Sequence, residues 1–295
     1  MTTGIDVVIL TRQRRTDLEA ALRSALPQLG PADTITVLEN GCPERSTAGL
    51  DTDFPTVRFL TEHANLGVTG GRNKLIDATT GDLVMFLDDD GELGDGSLDA
   101  IRTALDEHPH CGVIACRIND PATGLPRSHE FPARVVDRIE EARPVTYFIG
   151  AGFAVRRSAL SDVGTFDEAL FYAGEELDLS YRLVDAGWEI RYEPAASVVH
   201  HASPAGRPPG QYFFYHVRNR FRLAVRHLPI RYALSQMVLW SGFFFVKAIR
   251  SRRLGAASRG YAAGIRAVPT AIRERKAISG AAVAYLKEHD GRLWY

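Results

Sequence analysis

Leu83-Val84-Met85-Phe86-Leu87-Asp88-Asp89-Asp90-Gly91 is the stretch that decides the reading of this 295-residue chain. Five apolar residues make a buried strand, and three acids follow at its carboxyl end. Acids crowded there repel one another and lose hydration, a cost that needs compensation. A divalent cation such as Mg²⁺ or Mn²⁺ supplies it, because these ions take carboxylate oxygens and keep water or phosphate oxygens as further ligands. Side chains alternate along a strand, so Asp88 and Asp90 share a direction while Asp89 points away. The competing reading is a solvated acidic turn at Asp90-Gly91.

Outward from this stretch, strand and helix alternate. Ile5–Leu10 reads as a strand. Thr16-Asp17-Leu18-Glu19 reads as a capping box opening a helix that Pro27 ends. Strands follow at Thr34–Leu38 and Val57–Leu60, then a glycine-led helix over about Gly71–Ala78. Short connections predict an α/β fold with a mostly parallel sheet covered on both faces. Ligands of such sheets bind beyond the carboxyl ends of the strands. Thr11-Arg12, Glu39-Asn40 and Asp88–Asp90 all lie at such ends. Asp95–Glu107 reads as a helix, Gly112–Arg117 as a strand, Asn119–Pro144 as a proline-rich loop, and Trp188–Tyr192 as a later strand.

Charge divides the chain. Residues 1–206 carry 18 Lys/Arg against 33 Asp/Glu, and residues 207–295 carry 17 against 3. An acidic domain over 1–206 and a helical basic extension over 207–295 follow. Such a tail seeks an anionic partner or docks on the acidic body. Phe214–Leu228 has an apolar stripe beside Arg218, Arg222 and Arg226, the pattern of a basic amphipathic helix. The apolar run Tyr232–Val246 is 15 residues long, short of the about 20 that span a bilayer. With no basic and apolar leader at Met1–Asp6, the expectation is a cytoplasmic protein, peripheral on the inner membrane face. The alternative is that the tail helices pack on the acidic domain or on a second copy as a homodimer. Cys42, Cys111 and Cys116 have neither zinc-site spacing nor an even count, so they read as free thiols.

Two further clusters carry chemistry. Asn65-Leu66-Gly67-Val68-Thr69-Gly70-Gly71-Arg72-Asn73 opens a helix whose N-terminal amides, with Arg72, suit a diphosphate. It is not a dinucleotide-binding GxGxxG. Gly174-Glu175-Glu176-Leu177-Asp178 places three carboxylates at a helix start, beside Phe171-Tyr172. A helix dipole accommodates one or two acids there. A third suggests acid/base work, since a crowded and partly desolvated Glu is more basic than usual. Val198-Val199-His200-His201 ends an apolar strand and offers one imidazole to the same rim, as a structural group or as a third metal ligand.

The ordered set resembles the family-two glycosyltransferases, inverting enzymes with the GT-A nucleotide-sugar fold. The matching pieces are Val7–Arg14, Val37–Gly41, Asn65–Asn73, Phe86–Asp90, Ala154–Leu160, Gly164–Glu168, Glu175–Arg182 with Gly187-Trp188, and Val198–His200. Tyr215–Arg220 is similar to the rhamnosyltransferase-like branch. The resemblance implies a nucleoside-diphosphate-sugar donor held by Thr11, Arg12, Arg14, Glu39, Asn40, Asn65, Gly71, Arg72, Asp88 and Asp89. Within that set Thr11 and Glu39 hold the nucleoside, Arg72 the base or phosphates, and Asp88 the ribose. Asp90 and His200 bind Mg²⁺ or Mn²⁺, Glu176 is the base, and Asp178 joins the catalytic pair. The acceptor is a hydroxyl on a lipid-linked saccharide, glycan or natural product. Leu10 and Glu39 depart from the family's usual Pro and Asp, which bears on the nucleobase contact.

Two other classes compete. A nucleotidyltransferase of similar fold has a glycine- and lysine-rich first loop, and Thr11–Arg14 contains neither residue. A nucleic-acid binder would interleave aromatics with basic residues, whereas the tail's aromatics lie on apolar faces, so no nucleic acid is expected.

Overall fold

The computed structural model describes residues 4–42, 44–133, 136–202 and 210–294. In chain order the strands and helices are β1 (Ile5–Thr11), α1 (Arg15–Ala25), β2 (Thr34–Asn40), α2 (Leu50–Asp53), β3 (Val57–Glu62), α3 (Gly67–Asp77), β4 (Leu83–Asp88), β5 (Gly91–Leu93), α4 (Ser97–Glu107), β6 (Cys111–Asn119), β7 (Arg143–Val145), β8 (Gly152–Arg156), α5 (Arg157–Val163), α6 (Glu175–Asp185) and β9 (Glu189–His200). The tail adds α7 (Gln211–His227), α8 (Ile230–Arg250), α9 (Leu254–Arg273) and α10 (Gly280–Glu288). The expected boundary at 206/207 falls in residues 203–209, outside those described.

One sheet runs β3-β2-β1-β4-β8-β6-β9-β5, with β7 also on β9. The N-terminal half, β3-β2-β1-β4, is parallel throughout. Beyond it β8 enters antiparallel to β4, while β9 lies parallel to β6 and antiparallel to β5 and β7. The central strands β1, β2, β4, β8 and β6 are buried on both faces, as their near-continuous apolar sequences require, while β3 and β9 are partly exposed. Val8 and Phe86 face one core with Leu75 of α3 and Leu179 of α6. Ile9 and Leu87 face the other, with Leu18 of α1 and Leu98 of α4. Two expected strands, Trp188–Tyr192 and the run ending at His200, are one strand with a register shift against β6.

The capping box does not form. Helix α1 starts at Arg15, one residue before Thr16, and no side chain caps it. Glu19 instead pairs with Arg15 and Arg23. Gln13 takes a positive φ of 61°, so the chain turns sharply out of β1 before the helix begins.

The tail packs on the body. Helices α7 and α9 cross closely at two glycines: a Cβ at Gly260 would meet Phe214 O at 2.7 Å, and one at Gly264 would meet Phe221 Cδ2 at 2.9 Å. The arginines of α7 are engaged by the body. Arg218 donates to the Ala169 and Leu170 carbonyls, while Arg222 and Arg226 reach Asp167 Oδ2 at 2.7 and 2.6 Å. This face is therefore a docking face and not a free basic surface. Helix α8 is longer than its apolar run: at 21 residues it is long and apolar enough to cross a membrane, and it buries only part of its surface. Val238, Leu239, Phe243, Phe245 and Val246 are exposed along it.

Candidate active site

The acids of β4 are arranged by the strand pairings around them. Leu10 of β1 lies opposite Asp88, and Gly91 of β5 lies opposite His200 of β9. The His201 amide donates to the Asp90 carbonyl at 3.0 Å, fixing the end of β9 against the acidic turn. Asp88, Asp90 and His200 present one ligand atom each, all within 4.8 Å of one another. Asp89 turns the other way, as strand alternation requires. It accepts from Thr11 Oγ1 at 2.8 Å, Arg14 Nη1 at 2.7 Å and the Arg12 amide at 3.4 Å. Arg14 Nη1 also lies 3.0 Å from Asp90 Oδ2. Burial pushes Asp89 up to about 6 against the pull of Arg14.

His200 Nδ1 is 2.6 Å from Glu130 Oε1, and its Nε2 is 3.3 Å from Asp90 Oδ1. Burial disfavours the charged ring, but hydrogen bonds to Asp90 and Glu130 outweigh it and push the group up to about 10. Two carboxylates and one imidazole, with a further carboxylate orienting the imidazole, suit Mg²⁺ or Mn²⁺. Glu130 had no sequence signal beyond being an acid in a long loop.

Behind the acids lies Arg72 of α3, buried and surrounded. It donates to the Gly150 carbonyl at 2.9 Å and lies 3.3 Å from both Asp88 Oδ1 and Glu175 Oε1. Its guanidinium stacks near Phe153, 5.4 Å from the ring centre. Arg72 thus compensates the acids of the site from below. Glu175 and Glu176 both line the cavity, Glu176 being the more exposed. Burial and the charge of Glu176 push Glu175 up to about 8. Burial also raises Glu176, against Arg72 and the Gly150 amide. Gly150 leaves room for both groups: a Cβ there would lie 2.5 Å from Glu176 Oε1 and 2.9 Å from Arg72 Nη2, so one of these side chains would have to shift.

Three expected site residues are placed elsewhere. Asp178 faces α7, on the opposite side of α6 from Glu176, and accepts from His227 Nε2 at 2.6 Å and from Arg182 Nη2 at 2.7 Å. Burial opposes its charge, but these partners hold its carboxyl at about 2. Glu39 is wholly buried, taken up by the Ser46 amide and hydroxyl at 2.5 and 2.7 Å and by Thr47 Oγ1 at 2.9 Å. Its carboxyl closes the loop after β2 and lines no part of the cavity. Gly71 is a packing glycine: α3 begins at Gly67, and a Cβ at Gly71 would lie 2.5 Å from Leu10 Cδ1. The residues shaping the turn into α3 are Asn40, which accepts from the Leu66 amide at 2.8 Å, and Asn65, which accepts from the Gly67 amide at 2.9 Å.

These groups open on a cavity of about 670 Å³. Thr11, Arg12, Arg14, Asn40, Asn65, Arg72, Asp88, Asp89 and His200 line one side. The tail supplies the other, through Tyr212, His216 and Arg220 of α7, Trp240, Phe244 and Lys247 of α8, and Arg292. Helix α7 also fixes the segment before Glu175, since Asn219 Nδ2 donates to the carbonyls of Leu170, Tyr172 and Ala173 at 3.0, 2.8 and 2.7 Å.

A parallel half-sheet ending in an acidic cluster, facing a carboxylate pair across a cleft, defines a GT-A nucleotide-sugar fold. The chain belongs to glycosyl transferase family 2, whose pattern matches residues 6–164. A glycosyltransferase (GlcNAc) family also matches residues 97–236. The chain is 29% identical to the N-acetylglucosaminyl-diphospho-decaprenol L-rhamnosyltransferase of Mycobacterium tuberculosis, over 86% of this chain and 97% of that protein. The mannosyltransferase PcManGT of Pyrobaculum calidifontis, solved with GDP-Man and Mn²⁺, superposes with a TM-score of 0.58 at 18% identity, over 98% of this chain and 76% of that one. GalNAc-T7, solved with UDP, GalNAc and Mn²⁺, superposes at 0.64 and 14% identity, over 79% of this chain and half of that one.

Proposed function

We propose that this glycosyltransferase moves a sugar from a nucleoside-diphosphate sugar to the hydroxyl of a lipid-linked acceptor, inverting the anomeric carbon. The observation that carries this reading is the juxtaposition of the Asp88, Asp90 and His200 cluster, of which Asp88 and His200 line the cavity, with the Glu175–Glu176 pair on the same cavity. Asp88, Asp90 and His200 would hold Mg²⁺ or Mn²⁺, which when bound neutralises charge on the donor diphosphate. Thr11, Arg12 and Arg14 border the donor side, and Asn40 and Asn65 shape the turn at the N-terminus of α3.

Glu176 takes the acceptor's proton as the hydroxyl oxygen bonds to the anomeric carbon. The bond from that carbon to the diphosphate oxygen breaks, and the nucleoside diphosphate leaves. Attack on the face opposite the leaving group gives inversion. Glu176 suits the base role because burial, with the charge of Asp88 nearby, holds its carboxyl above the ordinary carboxylate range and so makes it a stronger base than an exposed one. Arg72 holds Glu175 and Asp88 in place from behind. The relative with a decaprenol-linked acceptor, and the exposed apolar length of α8 beside the cavity, support a lipid-linked acceptor presented at the inner membrane face.

The test is release of free nucleoside diphosphate from a panel of labelled nucleotide sugars with prenyl-linked saccharides. Release that needs Mg²⁺ or Mn²⁺, stops in excess EDTA and is lost in Asp90→Ala, with the melting temperature of that variant preserved, supports the reading. Full activity in EDTA refutes the metal, and release of inorganic diphosphate from nucleoside triphosphates would indicate a nucleotidyltransferase instead.

A further inference from the structure

The tail wall of the cavity carries cations that no carboxylate among the described residues pairs with. Arg220 of α7 is enclosed between α7, α8 and the C-terminal segment. Its guanidinium stacks 4.0 Å from the Trp240 ring centre, and it donates to Gln236 Oε1 at 3.4 Å. The groups that face it are Tyr181, Tyr212, Tyr147 and a second cation, Arg292. Lys247 of α8 donates to Tyr212 Oη at 2.8 Å, and Arg292 packs 5.3 Å from the Tyr147 ring centre. Among the described residues none of the three cations is in an ion pair, whereas Arg222 and Arg226 on the same helix are matched by Asp167. Enclosing a guanidinium without a counter-ion is costly, and burial pulls Arg220 down to about 10. His216, beside Arg220 and Lys247, is held neutral by burial and by those two charges, so the ring adds no further positive charge.

We propose that Arg220, Lys247 and Arg292 form a second anion site, which binds the phosphate or diphosphate group of the acceptor. The inference rests on the glycosyl-transfer reading and adds how the acceptor is held. Its placement fits that role, because Arg220, Lys247 and Arg292 line the same cavity as Glu176, and the charges of Arg220, Arg292 and Glu176 all reach Tyr147. An acceptor with its phosphate on the cations thereby extends its sugar toward Glu176. Its lipid leaves past Phe243, which lines the cavity and is half exposed on α8. Arg220 is suited to the task by its planar fork, which meets two phosphate oxygens at once.

The test is binding of geranyl diphosphate to the full chain in EDTA, so that no metal recruits diphosphate to the acidic cluster. Trp240, stacked on Arg220, provides a fluorescence readout. The expected result is saturable quenching, weakened at least about tenfold in Arg220→Gln, the loss expected for one charged hydrogen-bonding group. Arg220→Lys should recover part of it. Lys247→Gln and Arg292→Gln, at the cavity rim, provide the same test should Arg220→Gln fold poorly, and each should weaken binding. Inorganic pyrophosphate binding as tightly as the prenyl probe would identify a free diphosphate as the ligand, whereas a clear preference for the prenyl probe identifies a lipid-linked one. Wild-type affinity in all three Gln variants overturns the site. Sugar transfer with an unchanged acceptor KM in Arg220→Gln overturns this inference and leaves the transfer reading intact. Arg220-dependent binding in a chain that transfers no sugar does the reverse.

Discussion

Replacing Asp178 by Asn separates a structural carboxylate from a catalytic one. The side chain accepts from His227 Nε2 and Arg182 Nη2, at 2.6 and 2.7 Å, with Arg226 Nη1 at 3.6 Å. These partners hold it at about 2, against an ordinary value of 3.8. At 1.36 kcal/mol for each pH unit, the charged carboxylate contributes about 2–3 kcal/mol to folding at neutral pH. Asn keeps the shape and an acceptor oxygen but not the charge, so Asp178→Asn should lose about that amount. The melting temperature should fall by about 3–5 °C. The sign with pH follows from a depressed pKa. The contribution is complete above the unfolded value near 3.8 and is lost as pH falls through about 2, so the gap between variant and wild type should be constant from neutral to mildly acid pH and narrow below about pH 4. Urea unfolding followed by circular dichroism at neutral pH and at about pH 3 measures this. Donor affinity should be unchanged. Equal stability together with lost turnover would refute the reasoning and return Asp178 to the reaction.

Gly71→Ala should cost about 1–3 kcal/mol by driving a Cβ into Leu10, while leaving donor affinity within twofold. An undiminished melting temperature would show that α3 shifts freely on β1. For membrane contact, the chain should co-sediment with anionic vesicles, and Val238→Asp with Phe245→Asp on the exposed face of α8 should weaken that binding. Unchanged binding in the double variant would move the contact elsewhere, and none at low salt would make α8 an interface for protein.

The acidic run was legible because its chemistry is local: an apolar strand, three acids and the two-residue alternation already separate Asp89 from Asp88 and Asp90. Helical geometry separates Glu176 from Asp178 as well, since two residues along α6 is more than half a turn. The aromatic pair Phe171-Tyr172 drew all three acids into one reading instead. Glu39 was misplaced because its partners, Ser46 and Thr47, come from a loop with no periodicity to announce its return. Gly71 was read as a phosphate-facing glycine, but what it makes room for is a side chain on another strand. Glu130 and the cations of α7, α8 and Arg292 reach the cavity only through tertiary packing. The charge asymmetry pointed to the tail's partner without revealing that Asp167 and Asp178 would be among the acids it meets.

The most direct measurement is turnover and donor affinity of Glu176→Gln beside Glu175→Gln, with the same nucleotide sugar and acceptor. An amide matches the carboxylate in shape but cannot take the acceptor's proton. The account predicts that Glu176→Gln binds donor as the wild type does and loses most of its turnover, while Glu175→Gln keeps measurable activity. Turnover of Glu176→Gln near the wild-type rate, with Glu175→Gln inactive, would contradict it.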